Sequence, residues 1–172
     1  MLTIGALADR QALRHALADW RTRHGLALVH HNPDDALPGS YWGAPEAGVR
    51  GATLHVRDDT PLHSLLHEAC HVVCSRAAGR GDFDRNAGGD DVEETAVCAR
   101  QVLVAEALPG LGWRRLARDM DAWGYRFVVG STTAWFRRDV VDARSWLVRR
   151  GLTPAGCARQ RVACLRMSPD SR

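Results

Sequence analysis

His67 and His71 stand four residues apart in the segment LLHEACHVV, residues 65–73, with Glu68 directly after the first of them. On a helix, a spacing of four puts both imidazoles on one face, where they can grip a single metal ion. Glu68 is rotated by about 100° from His67, so its carboxylate can reach a water on that metal without becoming a ligand. Zinc lowers the pKa of such a water to about 7, and the carboxylate accepts its proton. The residue types and their order therefore point to hydrolysis, with His67 and His71 as zinc ligands and Glu68 as the general base. The remaining positions agree. Leu62, Leu65, Ala69, Val72 and Val73 fall opposite the histidines, giving the helix an apolar side to bury.

A hydrolytic zinc site needs a third protein ligand and one open position. Glu93 and Glu94, near the start of the next predicted helix, are the candidates. Glu93 is preferred, because Ala96 three residues on is a small residue where two helices must approach closely; Glu94 is the alternate. The carboxylate that is not a ligand is expected to act only at the positive end of the helix dipole.

The sequence HEACH, followed on a later helix by Glu-Glu-Thr-Ala, resembles the gluzincin branch of the HExxH metallopeptidases (zincins). In small size and strand–helix–helix order, residues 52–108 look most like compact bacterial metallopeptidases of the ImmA/IrrE type. The resemblance implies a glutamate as third ligand, in an E-x-x-A or E-x-x-S context. It also implies a zincin-like fold and peptide hydrolysis. The chain departs from the pattern at Val97, where an acidic residue or Asn is common. The HExxHxxGxxH arrangement of the metzincins does not fit, since Cys74 and Ala77 stand where its Gly and third His would be.

The elements that must position these residues follow from periodicity and punctuation. Residues 6–24 read as an amphipathic helix carrying Leu13, Leu17 and Trp20, with Gly25 as its stop. Leu26–His30 reads as a strand, 31–51 as a loop, and Ala52–Arg57 as a second strand. Thr60 suits the N-cap of the HExxH helix and Pro61 its first position, with the helix running to about Ala78. A glycine-rich connection, 79–89, leads to a helix from Asp90 or Asp91 to about Leu108. Residues 113–152 read as further helices broken near Gly124 and Gly130. The fold class expected is α+β and mostly helical, with a small sheet packed on the HExxH helix and a second helix carrying the third ligand. A single domain is expected over 1–172, with a metal-binding core at 52–108, a helical part at 113–152 and a weakly patterned, flexible tail at 154–172.

Composition narrows the partners. At 172 residues with 45% hydrophobic and 25% charged side chains, the chain can bury a core and is not compositionally disordered. The net charge of +3 is not taken as a nucleic-acid signal: all 23 basic residues are Arg, none is Lys, and they are mixed with acids along the chain. With Ile4 the only isoleucine, this looks like the codon bias of a GC-rich genome. No apolar run has the length of a membrane span, and the first 20 residues are charged too early for a signal peptide; a cytoplasmic protein is expected. Its five cysteines, an odd number without zinc-finger spacing, are expected to be reduced and mostly buried. Cys70 and Cys74 fall on the histidine face, more as small residues in a tight interface than as donors. His55 and His63 flank the site and are expected in solvated or capping roles. Tyr125 and Tyr41 are the candidates for steadying an oxyanion.

The function expected is a zinc-dependent metallopeptidase. The alternative is a metal-binding regulatory or interaction module with little or no turnover. The substrate expected is an extended polypeptide, added as a strand to an exposed edge of the 52–57 strand, where it enters the HExxH helix.

Overall fold

The computed structural model describes residues 1–153. The expected 154–172 tail, with Cys157 and Cys164, lies outside the described residues. The architecture is α+β: six α-helices and a four-stranded mixed sheet, with about half of the described residues helical. A 3₁₀ turn at Gly5–Leu7 precedes helix α1, Gln11–Arg23. Strands β1 (Ala27–His30), β2 (Gly48–Gly51) and β3 (Thr53–Val56) lead into helix α2, Leu62–Ala77. Strand β4 (Phe83–Asp84) precedes α3 (Asp91–Ala107), α4 (Trp113–Trp123), α5 (Thr132–Arg138) and α6 (Val141–Arg149). No helix among the described residues is long and apolar enough to cross a membrane.

The sheet order is β1-β3-β2-β4. β3 pairs in parallel with β1, Leu28 opposite Leu54, and antiparallel with β2, Val49 opposite Leu54. The expected alternation in β3 holds, with Leu54 and Val56 fully buried and Thr53 and His55 half-buried. The proposed peptide dock on this strand is corrected: β3 has a neighbour on both sides, so its N–H groups are already spent in the ladder. β2 and β4 were hidden in segments read as loops. Four and two residues are too few for a period-two signal, and β2 begins and ends on glycine. Pairing creates these strands rather than local preference.

α2 packs against β2 and β3 on one side and α3 on another. Leu62, Leu65, Ala69 and Val72 have at most 1% exposure and tie it into the core, each large side chain contributing about 1.5–3 kcal/mol by burial. Its start differs from expectation. Pro61 is the N-cap, and Thr60 Oγ1 accepts instead from the Arg57 N–H at 2.9 Å. The first helical amide, on Leu62, donates to the Leu2 carbonyl at 2.8 Å, and Ile4 donates to Thr60. The same pairing explains why α1 begins at Gln11 rather than near residue 6, since residues 2–5 are drawn to the turn before α2. At α3, which starts where expected, Asp90 is the N-cap and accepts from the Glu93 N–H at 2.8 Å. α3 packs on α2, α4 and α6, so it sits at the centre of the helical layer.

Candidate metal centre

His67 and His71 project from α2 toward the first turns of α3, where Glu94 meets both. Glu94 Oε1 lies 3.3 Å from His67 Nε2 and Oε2 lies 3.2 Å from His71 Nε2. The two Nε2 atoms are themselves 3.0 Å apart. His67 Nδ1 faces Gln101 Oε1 at 3.2 Å, and the Gln101 amide nitrogen lies 2.9 Å from Met120 Sδ. A neutral His67 that donates from Nδ1 to Gln101 turns its Nε2 lone pair toward His71 and the carboxylate. Either a proton or a metal ion satisfies lone pairs crowded this closely, and two imidazoles with a carboxylate are a zinc donor set. The residues thus fit a divalent metal. The Gln101 contact is the kind of outer partner that orients a metal-ligating imidazole; His71 Nδ1 is buried without one among the described residues.

The preference for Glu93 as third ligand is corrected by this geometry. Glu93 is 3% exposed and its Oε1 accepts from the Arg80 guanidinium. Gly89 lies over it so closely that a Cβ there would stand 2.9 Å from the Glu93 carboxyl carbon. Adjacent residues on a helix differ by about 100° in direction, so Glu93 turns beneath the connecting loop while Glu94 turns to the histidines. The small-residue argument chose the wrong face: Ala96 packs in the core, and the face shared with Glu94 carries Cys98 and Gln101, four and seven residues on. That i, i+4, i+7 spacing was present in the sequence and unused.

Burial sets the electrostatics. It pushes the Glu68 carboxyl up to about 7, with Glu46 and Glu94 adding to the rise and His67 opposing it. Burial acts on Glu94 in the same direction, but without a metal, hydrogen bonds from Nε2-protonated His67 and His71 outweigh it and hold this carboxyl well below the usual range. Cys70 and Cys74 have no exposed surface, and burial pushes the Cys70 thiol up to about 12 and Cys74 higher still. Both are packing residues, as expected.

The histidines, Glu68 and Glu94 line a cleft of about 590 Å³. Glu94 keeps 52% of its side chain exposed, so solvent reaches the centre. One wall is the 37–46 loop with Tyr41, Trp42 and Glu46; the facing wall is Trp123, Gly124 and Tyr125. Phe83 of β4 and residues 86–89 close a third side. Glu46 Oε2 accepts from the Trp42 N–H at 2.9 Å and from Ser40 Oγ at 3.3 Å, which fixes the loop. Gly39 and Gly48 let it lie against β2: a Cβ on either would stand about 2 Å from a backbone oxygen. Trp42 remains 81% exposed.

Of the other residues singled out by sequence, Tyr125 borders the centre with its ring 5.8 Å from that of His67. Tyr41 stands at the rim beneath the Arg85 guanidinium. His55 pairs with His31, Nδ1 to Nε2 at 2.9 Å, and does not line the cleft. His63 was expected in a solvated or capping role. It is instead 1% exposed, packed against Trp123 and Tyr125, with neither ring nitrogen partnered among the described residues. Glu46, Trp42, Cys98 and Gln101 are site residues that sequence reasoning missed. Comparison of the chain with family models, curated proteins and solved structures found no match.

Proposed function

We propose that this protein is a zinc-dependent hydrolase of the HExxH type, with a zincin-like site acting on peptide bonds. The observation that carries the proposal is the meeting of His67, His71 and Glu94 at 3.0–3.3 Å beside Glu68 in an open cleft. His67, His71 and Glu94 would hold the metal, leaving one position open. Bound there, zinc supplies Lewis-acid activation of a water and of the scissile carbonyl. Glu68 takes the proton from the attacking water at its carboxylate and hands it to the leaving amine. Gln101 holds the His67 ring, and Tyr125, which lines the cleft, would support the developing oxyanion.

An extended polypeptide remains the proposed substrate, moved from β3 to the sheet edge at β4. Among the described residues β4 has a neighbour only in β2, and its Phe83 lines the cleft. Three carboxylates, Glu46, Glu68 and Glu94, line the cleft and no arginine does, among the described residues. That charge pattern disfavours a phosphate backbone as ligand.

The test pairs elemental analysis with Glu68→Gln. The wild type should carry one zinc per chain and cleave an unfolded protein substrate. Glu68→Gln should keep the zinc and lose about 10²–10⁴-fold in turnover, the usual contribution of a general base. Zinc retained with no turnover in the wild type would favour a metal-binding module instead. Absence of bound metal after zinc reconstitution would end the proposal.

A further inference from the structure

Cys98 follows Glu94 by one turn of α3, so it projects from the same face toward α2. One donor atom each from His67, Glu94 and Cys98 lie within 4.8 Å of one another, in a group that does not include His71. The thiol therefore approaches the centre from the His67 side, while Glu94 spans both histidines. It is 5% exposed and free of any disulfide. It also lines a second cavity, of about 640 Å³, walled by Tyr125, Phe127 and Trp135. Cys70 and Cys74, though on the histidine-bearing helix, belong to neither the donor group nor this cavity. The hydrolytic chemistry proposed above has no use for Cys98, yet of the three thiols among the described residues only it stands among the donors.

We propose that Cys98 is a fourth, displaceable protein ligand of the metal centre, able to take the coordination position that hydrolysis needs for water. The inference rests on the reading of His67, His71 and Glu94 as metal ligands. Zinc bound by four protein donors is the closed, structural arrangement, whereas a catalytic site keeps one position open. Two imidazoles, a carboxylate and a thiolate make four, and a thiolate is a good zinc donor. The second cavity, which Cys98 lines, gives its short side chain a place to turn when it leaves. The centre then has a latent state with Cys98 engaged and an open state with Cys98 withdrawn.

Cobalt substitution tests this without any substrate. The full chain, loaded with Co²⁺ in place of zinc, should show the near-ultraviolet charge-transfer absorption of a cobalt–thiolate bond. Cys98→Ala should bind cobalt and lose that absorption; Cys70→Ala and Cys74→Ala should keep it. Cys98→Ser, close in shape to the native residue, serves if the alanine variant does not fold. Cobalt bound by the wild type with no thiolate absorption, or absorption that survives in Cys98→Ala, overturns the role of Cys98 and leaves the His67–His71–Glu94 centre standing. Failure of the wild type to bind cobalt, or binding that survives His67→Ala and His71→Ala together, overturns the centre itself and this inference with it.

Discussion

His67 and Trp42 border the same cleft, but the molecule holds them by different means. His67 stands on α2, whose opposite side is sunk into the core through Leu62, Leu65 and Ala69. Its ring is held further by Gln101 from α3. Trp42 stands on a loop fixed by Glu46 and two closely approached glycines, and its own side chain is 81% exposed. The helix wall is determined several times over, by burial, by packing of α2 on α3 and by polar contacts. The loop rim is determined by its backbone, and its aromatic side chains, Tyr41 and Trp42, pack on each other rather than in the core. A wall of this kind suits groups whose mutual distances must not change; a rim of this kind suits contact with a ligand.

The strongest break of the wall removes its donors. His67→Ala with His71→Ala should abolish stoichiometric zinc while the fold remains, measured by elemental analysis beside circular dichroism. A full equivalent of zinc in that variant would place the metal elsewhere. Next comes the support behind the donors. Leu65 is fully buried, and Leu65→Ala should cost about 2–5 kcal/mol in denaturant unfolding, the range for a cavity in a tight core. Glu93→Gln and Glu94→Gln then sharpen the division of labour within α3. Glu93→Gln weakens a buried charge pair with Arg80 and should cost about 1–3 kcal/mol with zinc retained. Glu94→Gln should lose zinc with little change in the stability of the metal-free protein. An exchange of these two outcomes would restore Glu93 as the ligand. The smallest effect belongs to the rim: Trp42→Ala should move stability by no more than about 0.5 kcal/mol, as for exposed positions generally. A larger loss would show that the rim is as structural as the wall.

Much of the wall was legible in the sequence because helical periodicity is a local property. A spacing of four fixes a shared face whatever the surroundings, so His67, His71 and the opposite apolar side of α2 could be placed without a fold. The start of α3 was legible; the cap of α2 was not. Asp90 is a cap because its side chain reaches its own helix, but Thr60 is not, because the Leu2 carbonyl from the far end of the chain took over the first amide. The rim was illegible. Tyr41, Trp42 and Glu46 lie in a segment without periodicity, and their places depend on how closely the loop can approach β2.

By itself the sequence determined the chemistry available: two imidazoles and a carboxylate on one helix, and acids at the start of the next. Tertiary structure alone decided which acid meets the histidines. Glu93 and Glu94 have the same functional group and the same intrinsic helix preference, and differ only in direction. The rotation of α3 about its axis is set by burying Ala96, Val97, Val102 and Val104 against the core, and that rotation aims Glu94 at the histidines and Glu93 at Arg80. Strand order was decided in the same way. A sequence can show that β3 alternates, but whether its edges are free depends on partners distant in the chain, and β1 and β2 occupy both. Periodicity is set within a few residues, whereas helix rotation and strand neighbours are set by long-range packing of surfaces the sequence does not list as pairs.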